Sequence, residues 1–462
     1  MTVTRRSRSA PNDRELRLWR VGRALTLSFF VAVLVAGCVF MGLVYLLDFQ
    51  EIDNTKKLDA KTLFDLVKLS FGVVAGAGAL VALVVAYRRQ RVDEAGAHRD
   101  ATRLHTERFS QAVDKLGSDS PAVRLGGVHA LSGLADDAPD DDLRQTCIDV
   151  LCAYLRLPFS PDPGDEPAWP DGSPLPEEHR DAHQEKRNRY RALREVRHTI
   201  LRLIGDHYRI PMGTHRSWQG CNLDLTGVTI DGRMRFEGAS FSGGTVNFGG
   251  AEFCGGAVDF AGAAFSAGTV SFRGAVFSDG GVYFGGAKFS EGVVSFTSAG
   301  FCGSSVFFVG AEFSGGTVSF DSAEFSAGDV HFVGAKFSDG TVSFDSAGFS
   351  GGTVSFDSAG FSGGTVNFND AEFSDGDVRF TRAAFSGGTV DFAGAEFSGG
   401  TVDFAGTAFS GGDVSFDSAE FSGSHVRIDA TTGPAPGGLL EAVGTPVPAE
   451  IRLRPDWLPA TQ

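Results

Sequence analysis

The sequence is poor in the residues that build compact reactive sites. Its 462 residues include only six cysteines, four tryptophans and ten histidines. No two cysteines form a CxxC pair, and no cysteine and histidine group has the spacing of a zinc site. Phosphate-cradling loops and the GxGxxG motif are also missing. We therefore expect no enzyme activity, no catalytic residue, no cofactor and no metal. The cysteines are expected to be free thiols in a reducing compartment: Cys38, Cys147, Cys152, Cys221, Cys254 and Cys302.

Basic residues are scarce in one long segment. The formal net charge of the chain is −16, whereas residues 221–430 alone carry 25 acidic and 8 basic side chains, a net charge of −17. Such a segment repels nucleic acid and anionic lipid, so no nucleic-acid partner is expected. The acidic surface either attracts a basic protein or serves solubility, and solubility is the simpler interpretation.

Two long runs contain no charged residue. Residues 24–47 and residues 69–87 are uncharged over 24 and 19 positions. A helix of the first length is about 36 Å long, enough to cross a hydrocarbon core of about 30 Å. A signal peptide would have a shorter apolar run followed by a small-residue cleavage site. The runs therefore predict two transmembrane helices.

The flanking charges predict the orientation of this hairpin. Seven arginines lie in the basic tail of residues 1–23, and Arg88, Arg89 and Arg91 follow the second run, whereas the loop of residues 48–68 mixes both signs. Basic flanks stay inside, so both termini are expected in the cytoplasm at the cell membrane. Gly72 and Gly76 form a GxxxG pattern that either packs the hairpin or joins two protomers as a homodimer.

Residues 92–211 have helical periodicity and predict a small helical linker domain. Phe109, Val113 and Leu116 share one face, and Ser120 with Pro121 predicts a helix start. The next apolar stripe contains Val123, Val128, Leu131 and Leu134, and a third helix is expected over about 143–155. A Pro-rich loop occupies residues 158–176 and includes Trp169. An Arg-rich helix over about 185–209 either pairs with acidic groups or touches anionic lipid.

A twelve-residue repeat dominates the C-terminal half. A V-x-F step recurs from Val246/Phe248 to Val414/Phe416, and Met234 and Val426 begin the first and last of 17 units. A second pair follows each of these steps by five residues and is usually A-x-F. Because alternate residues of a strand face the same side, Val, Ala and Phe are expected inside and the variable residues outside. No unit buries two phenylalanines alone, so the units must stack.

The repeat predicts a β-solenoid over residues 217–430 with four columns of phenylalanine. Each turn holds either 24 or 12 residues, and an alternation of VGAEF with DSAEF-like steps favours 24. The tail of residues 431–462 is expected to cap the last turn through Ile451, Leu453, Trp457 and Leu458. The representative core positions are Phe248, Phe253, Phe260, Phe320, Phe325, Phe392, Phe397 and Phe404.

The A-x-F steps in five-residue register resemble pentapeptide-repeat proteins. SWQGCNLDLTG at residues 217–227 is similar to the usual A(D/N)Lxx step. VVAYRRQR, VRLGGVHALSGLADD, QTCIDVLCAYLRLPF and EVRHTILRLIGDH resemble a membrane-anchored pentapeptide-repeat group of actinobacteria. The resemblance implies a right-handed quadrilateral β-helix and no established activity. The extra dipeptide in each unit departs from the 20-residue turn of that family.

The most favoured function is a non-catalytic, membrane-anchored scaffold that binds an unidentified cytoplasmic protein. The alternative is an acidic rod that mimics DNA and inhibits an enzyme such as gyrase, as some pentapeptide-repeat proteins do. An ice-binding face is disfavoured because threonine occurs only once per unit. Asp259, Asp391 and Asp403 share one outward slot, which would allow a carboxylate pair on adjacent turns, while His331 and His425 are expected to be isolated.

Overall fold

The computed structural model describes residues 60–160, 162–165, 177–278 and 280–458, together with residues 29–31, 33–35, 37–38, 41–42 and 45, which are helical. The chain divides into two compact units, residues 1–101 and residues 102–462. The described residues of the first unit are helical, and helix α1 (Ala60–Leu116) begins there.

The described residues do not show the membrane hairpin. No helix among them has both the length and the apolar character needed to cross a membrane. The first predicted span, residues 24–47, lies mostly outside the described part. The second, residues 69–87, lies in α1, where five of its side chains are not described: Ser70, Phe71, Val74, Ala77 and Leu80. Both spans remain predictions.

The second unit starts with a helical region. After the end of α1 come α2 (Pro121–Asp136), α3 (Asp141–Arg156) and α4 (Glu177–Arg209). Pro121 takes the first helical position as predicted, and the Asp140 carboxylate caps α3 by accepting a 2.8 Å hydrogen bond from the Leu143 amide. This confirms a small α-helical region.

Two expectations for this region need correction. Val123 was placed on the buried stripe of α2, but it is 42% exposed, whereas Val128 and Leu131 are fully buried. The Arg-rich helix begins at Glu177, eight residues before its predicted start, because no helix-breaking residue follows Pro176. Most of the Pro-rich loop, including Trp169, lies outside the described residues.

Residues from Leu223 onward wind into a right-handed parallel β-solenoid of about ten turns. Phe313 pairs with Phe337 and Phe325 with Phe349, so one turn contains 24 residues, as the alternation of steps indicated. The ladders form three sheets. The first contains β1 (Leu223–Asp224), β4 (Ser240–Asn247), β7 (Ala264–Ser271), β10 (Lys288–Phe289), β11 (Val293–Ser295), β14 (Glu312–Ser319), β17 (Lys336–Ser343), β20 (Gly360–Asn367), β23 (Ala384–Asp391) and β26 (Ala408–Ser415).

The second and third sheets complete each turn with shorter strands. The second contains β2 (Thr229–Ile230), β5 (Glu252–Phe253), β8 (Val276–Phe277), β12 (Gly300–Cys302), β15 (Glu324–Ser326), β18 (Gly348–Ser350), β21 (Glu372–Ser374), β24 (Glu396–Ser398) and β27 (Glu420–Ser422). The third contains β3 (Met234–Arg235), β6 (Val258–Asp259), β9 (Gly281–Tyr283), β13 (Ser305–Phe307), β16 (Val330–His331), β19 (Thr353–Ser355), β22 (Asp377–Arg379), β25 (Thr401–Asp403), β28 (His425–Arg427) and β29 (Ile451–Arg452).

Four columns of phenylalanine fill the interior. Neighbouring rings within a column stack with centroids between 4.5 and 5.4 Å apart. Rings from the two central columns meet edge to face, as Phe308 and Phe320 do at 5.7 Å and 90°. Burying each ring contributes about 1.5–3 kcal/mol. The representative core residues all lie in these columns and are at most 2% exposed: Phe248, Phe253, Phe260, Phe320, Phe325, Phe392, Phe397 and Phe404.

Glycine permits the tight stacking of turns in the first sheet. Gly364 has a φ of 69°, and a Cβ atom there would lie 2.6 Å from the carbonyl oxygen of Gly340 in the preceding turn. A serine column beside these glycines strengthens the contact, because the Ser338 hydroxyl donates to the Phe313 carbonyl at 3.3 Å, and Ser362 repeats the bond to Phe337 at 3.4 Å.

Each end of the solenoid is covered by other segments. Helix α4 packs on the first turn, where the Tyr208 ring lies 5.2 Å from Phe241. At the other end β29 extends the third sheet, and short helix α5 (Leu439–Val443) and a 3₁₀ turn (Pro455–Trp457) follow the last turns. Ile451 and Leu453 are buried, but Leu458 is 41% exposed and so does not act as a cap residue.

Candidate interaction surface

The outward residues of the solenoid are sorted by the 24-residue turn. Because two twelve-residue units complete one turn, consecutive V-x-F steps fall on opposite sheets, the first and the third. Each outward column therefore collects every second unit. Residues that occupy the same position in the twelve-residue unit therefore lie in two different columns, and these columns differ in chemistry.

Threonine and serine line the outer face of the first sheet. Thr317 pairs with Thr341, and Thr341 with Thr365. A parallel column holds Ser319 and Ser343, whose hydroxyl groups both donate to the Asp321 carboxylate. The hydroxyl groups of this second column are thus partly satisfied within the protein. The face is polar and weakly charged.

Glutamates line the second sheet near its C-terminal end. Glu372 pairs with Glu396, and Glu396 with Glu420, in three successive turns. Among the described residues, none of the three forms a salt bridge. We call these three residues the glutamate ladder. It gives one side of the solenoid a local negative charge that the composition alone does not locate.

An aromatic ladder lies on the outside of the third sheet. The Tyr283 ring stacks on Phe307 at 5.0 Å, and Phe307 stacks on His331 at 5.1 Å. Tyr283 remains 37% exposed, and neighbouring Val309 is 45% exposed. Tyr283 and Val309 are thus large apolar side chains that are exposed on this side of the solenoid. Exposed aromatic residues of this kind are typical of protein-binding surfaces.

Charged residues flank the aromatic ladder in the same column. Below it lie Arg235 and Asp259, and above Ser355 lie Arg379 and Asp403. Three of these four have an ion-pair partner within the chain: Arg233 lies 2.8 Å from Asp259, Asp357 lies 3.0 Å from Arg379, and Arg427 lies 3.3 Å from Asp403. Burial raises the pKa of Asp259, but hydrogen bonds from the Ala261 amide and Arg233 outweigh it and lower that pKa.

The carboxylate pair that the shared slot would allow does not form. Asp259 and Asp403 lie on the third sheet but six turns apart, and Asp391 lies on the first sheet next to Asn367 and Ser415. The twelve-residue slot suggested adjacency, whereas the 24-residue turn separates them. His331 is not isolated, because it stacks on Phe307 and lies 3.8 Å from Asp329. His425 is outward and exposed, next to Thr401.

A buried polar cluster joins the helical region to the solenoid. His207 Nε2 lies 3.1 Å from the Asp136 carboxylate, and the Trp218 indole N–H donates to the same carboxylate at 3.1 Å. The imidazole and indole rings stack at 4.1 Å. Burial lowers the pKa of His207, but hydrogen bonds with Asp136 and the Leu203 carbonyl outweigh it, so that pKa is raised. The cluster favours a protonated histidine paired with a carboxylate.

Arginines of α4 bind the exposed edge of the first turns. Arg197 donates at 2.7 Å to the carbonyls of both Leu155 and Thr229, and Arg194 donates at 2.7 Å to the carbonyl of Asp231. Arg209 donates to the Glu237 carbonyl at 2.8 Å. These arginines therefore cap backbone acceptors, a use that neither expectation for the basic helix included. The expected pairing with acidic groups also occurs, because Arg194 lies 3.1 Å from the Asp231 carboxylate.

A histidine and a cysteine lie together in the helical core. His105 Nε2 is 4.0 Å from Cys147 Sγ and 3.1 Å from the Leu134 carbonyl, and the histidine is 5% exposed. Burial raises the pKa of Cys147 to about 12, so the thiol is neutral. A nucleophilic cysteine needs the thiolate and access to solvent, and this pair provides neither.

Sequence reasoning missed the aromatic ladder, the glutamate ladder and the buried Asp136 cluster. The first two were visible in principle, because reading the outward slots at intervals of 24 places Tyr283, Phe307 and His331 in one column. The Asp136 cluster joins residues more than 70 positions apart and has no local pattern. A comparison of the chain with family profiles, curated proteins and solved structures finds no match.

Proposed function

We propose that the protein is a non-catalytic scaffold whose solenoid binds a cytoplasmic protein. The observation that carries this proposal is the segregation of outward chemistry into separate columns around a uniform apolar core. The core needs only Phe, Val and Ala, so stability does not require the glutamate ladder on one side and the aromatic ladder on another. Solenoids of stacked repeats commonly use such extended surfaces for binding.

Affinity capture of the full-length chain from its own membranes tests this proposal. The partner should be recovered saturably, and less of it should bind the variant Glu372→Gln/Glu396→Gln/Glu420→Gln. The matched control Thr341→Ala/Thr365→Ala changes exposed residues of the first sheet and should retain the partner. Absence of saturable binding, or equal loss in all variants, would reject a specific surface.

We propose in addition that residues 24–47 and 69–87 anchor the protein in the cell membrane with both termini cytoplasmic. The uncharged runs and the arginines beside them support this orientation. Exposed apolar side chains in α1 also support it, since Leu83, Val84 and Val85 are each more than half exposed.

Alkaline extraction of membranes tests the anchor. The intact chain should remain in the pellet, whereas a chain with Leu83→Asp, Val84→Asp and Val85→Asp should shift toward the supernatant. A reporter inserted in the loop of residues 48–68 should be active only if it is on the extracytoplasmic side. Recovery of the unaltered chain in the soluble fraction would exclude the anchor.

We propose that the solenoid belongs to the quadrilateral pentapeptide-repeat class. The four phenylalanine columns and the five-residue spacing of its steps support this assignment, although each pair of steps carries two additional residues. Within this class, the helical motifs of the chain resemble the membrane-anchored group of actinobacteria.

DNA mimicry is the second candidate function. The net charge of −17 over residues 221–430 and the in-register glutamate ladder favour it. The wide Thr and Ser face of the first sheet does not resemble a phosphate backbone. A supercoiling assay with gyrase distinguishes DNA mimicry from the scaffold function. Unchanged supercoiling at a saturating concentration of this protein would exclude inhibition of gyrase.

A further inference from the structure

We propose that the outer face of the third sheet binds a second copy of the same chain, with the two solenoids antiparallel. The contact column contains, in order of turns, Arg235, Asp259, Tyr283, Phe307, His331, Ser355, Arg379 and Asp403. The column continues in the last turns with Arg427 and Arg452, which have no counterpart among these eight positions in the register described below. This inference does not depend on the membrane anchor, and it leaves the glutamate ladder of the second sheet free for the cytoplasmic partner proposed above.

The pattern of the column is complementary to itself when reversed. A two-fold axis parallel to the strands, midway between the turns of Phe307 and His331, places Phe307 against His331 of the second copy. The same axis places Tyr283 against Ser355. It also brings Asp259 opposite Arg379, and Arg235 opposite Asp403, so every charged residue of the eight faces the opposite charge.

The flanking columns agree with this register. Val309, which is 45% exposed, faces Val333 across the axis. Asp329 faces Ser305, and Asp357 faces Gly285, so no like charges meet. The aromatic ladder and its neighbouring valines are then covered by the same residues of the second copy, which removes apolar surface from water.

Other registers bring like charges together. A shift by one turn places Arg235 opposite Arg379 in one direction, or Asp259 opposite Asp403 in the other. A parallel arrangement places each charged residue of the column opposite itself. Like charges across an interface disfavour those arrangements, so electrostatics selects the antiparallel register.

The structure also indicates that the association is weak. Eight turns at about 4.8 Å and a face about 10 Å wide give roughly 400 Å² per partner, or roughly 800 Å² in total, which is below the value of about 1,000 Å² for a stable interface and fits a transient one. Asp259 and Asp403 already have arginine partners within the chain, so the second arginine contributes mainly to the choice of register.

Cross-linking between two full-length chains tests the register. One chain carries Ser355→Cys and the other Tyr283→Cys, and mild oxidation of the mixture should give a disulfide-linked dimer between these positions. The unaltered chain, with its own cysteines, sets the background. Ser355→Cys alone should give no such product, because in this register its two copies lie three turns apart.

Charge reversal provides the decisive comparison. With Asp259→Arg in both chains, or Arg379→Asp in both chains, the cross-link should fall about tenfold because two pairs of like charges face each other. With Asp259→Arg in one chain and Arg379→Asp in the other, all pairs are again opposite and the yield should recover. Circular dichroism checks that each variant is folded. If the variants at Asp259 and Arg379 do not fold, Arg235→Asp and Asp403→Arg replace them in the same comparison.

Two results would overturn the proposal. One is no linkage between positions 283 and 355 above background. The other is linkage that ignores the charge reversals, as expected if the GxxxG helices alone brought the chains together. Recovery in the mixture is predicted only by antiparallel pairing in this register.

Discussion

The ring of Phe320 lies directly against the ring of Phe344 in the next turn, with centroids 4.8 Å apart and planes 5° from parallel. The two residues are 24 positions apart in the chain, and both are fully buried. Their contact is repeated along all four columns, so the interior consists of one interaction used many times.

Phe344→Ala should destabilise the solenoid strongly. Loss of a buried ring and the cavity that remains should cost about 3–5 kcal/mol of unfolding free energy, measured by urea denaturation followed by circular dichroism. Phe307→Ala is the matched control, because Phe307 also stacks on its neighbours but points outward. It should cost about 1 kcal/mol. Equal losses for both would contradict the interior position of the column.

Gly364→Ala should be more destabilising than Gly250→Ala. Both glycines have positive φ, 69° and 63°, so both variants carry the strain of a left-handed backbone. Only at Gly364 would the added Cβ lie 2.6 Å from a backbone oxygen, since nothing lies within 4 Å of the corresponding position at Gly250. Thermal denaturation should show the larger loss for Gly364→Ala, and similar melting temperatures would show that the turns can separate without cost.

The stability of the helical region should fall as pH rises through the raised pKa of His207. The folded-state pKa of His207 exceeds its ordinary value of about 6.5. Protonation of His207 therefore makes its full contribution to the free energy of unfolding when the pH is below about 6.5. The contribution is lost at higher pH, when the imidazole is neutral in both states. Melting temperatures measured from pH 5.5 to about 8.5 should show this decline.

His207→Gln should remove this part of the pH dependence. His215→Gln is the control, because His215 lies 3.8 Å from Asp137 at the surface, where its side chain is 69% exposed. That exposed pair contributes little, so the control should follow the unaltered chain. A pH profile unchanged by His207→Gln would argue against the buried histidine–carboxylate pair.

Cysteine alkylation should separate surface thiols from buried thiols. Cys302 is exposed and should react in the folded protein. Burial raises the pKa of Cys147 and of Cys152 to about 12, so their thiolate fractions are about a thousandfold below that of an ordinary thiol. Mass spectrometry after brief labelling should find these two unmodified until denaturant is added. Their early modification would show that the helical core opens in the native state.

The core of the solenoid could be predicted because its signal is local and repeated. Phe248 and Phe253 belong to steps whose inward residues hardly vary, and alternation along a short strand determines which side they face. The 24-residue turn followed from subtler differences between the steps near Phe308 and Phe320. Apolar burial, rather than any long-range polar contact, decides this part of the fold.

The outer surface was harder to predict because it depends on the number of residues in a turn. Asp259 and Asp391 share a slot in the twelve-residue unit but lie on different sheets. Val123 fitted an apolar stripe but faces solvent, since helical periodicity does not tell which edge of a stripe the neighbouring helix covers. The pairing of Asp136 with His207 arises only when distant helices meet the first turn.

The 24-residue turn also governs how such a gene can change in length. Duplicating one full turn inserts a layer whose neighbours have the same chemistry, so both ends and every column stay aligned. Duplicating a single twelve-residue unit preserves the phenylalanine interior but rotates everything after it by half a turn. The threonines would then continue on the side that carries Tyr283 and Phe307, and a binding face could be interrupted or created without any change in foldability.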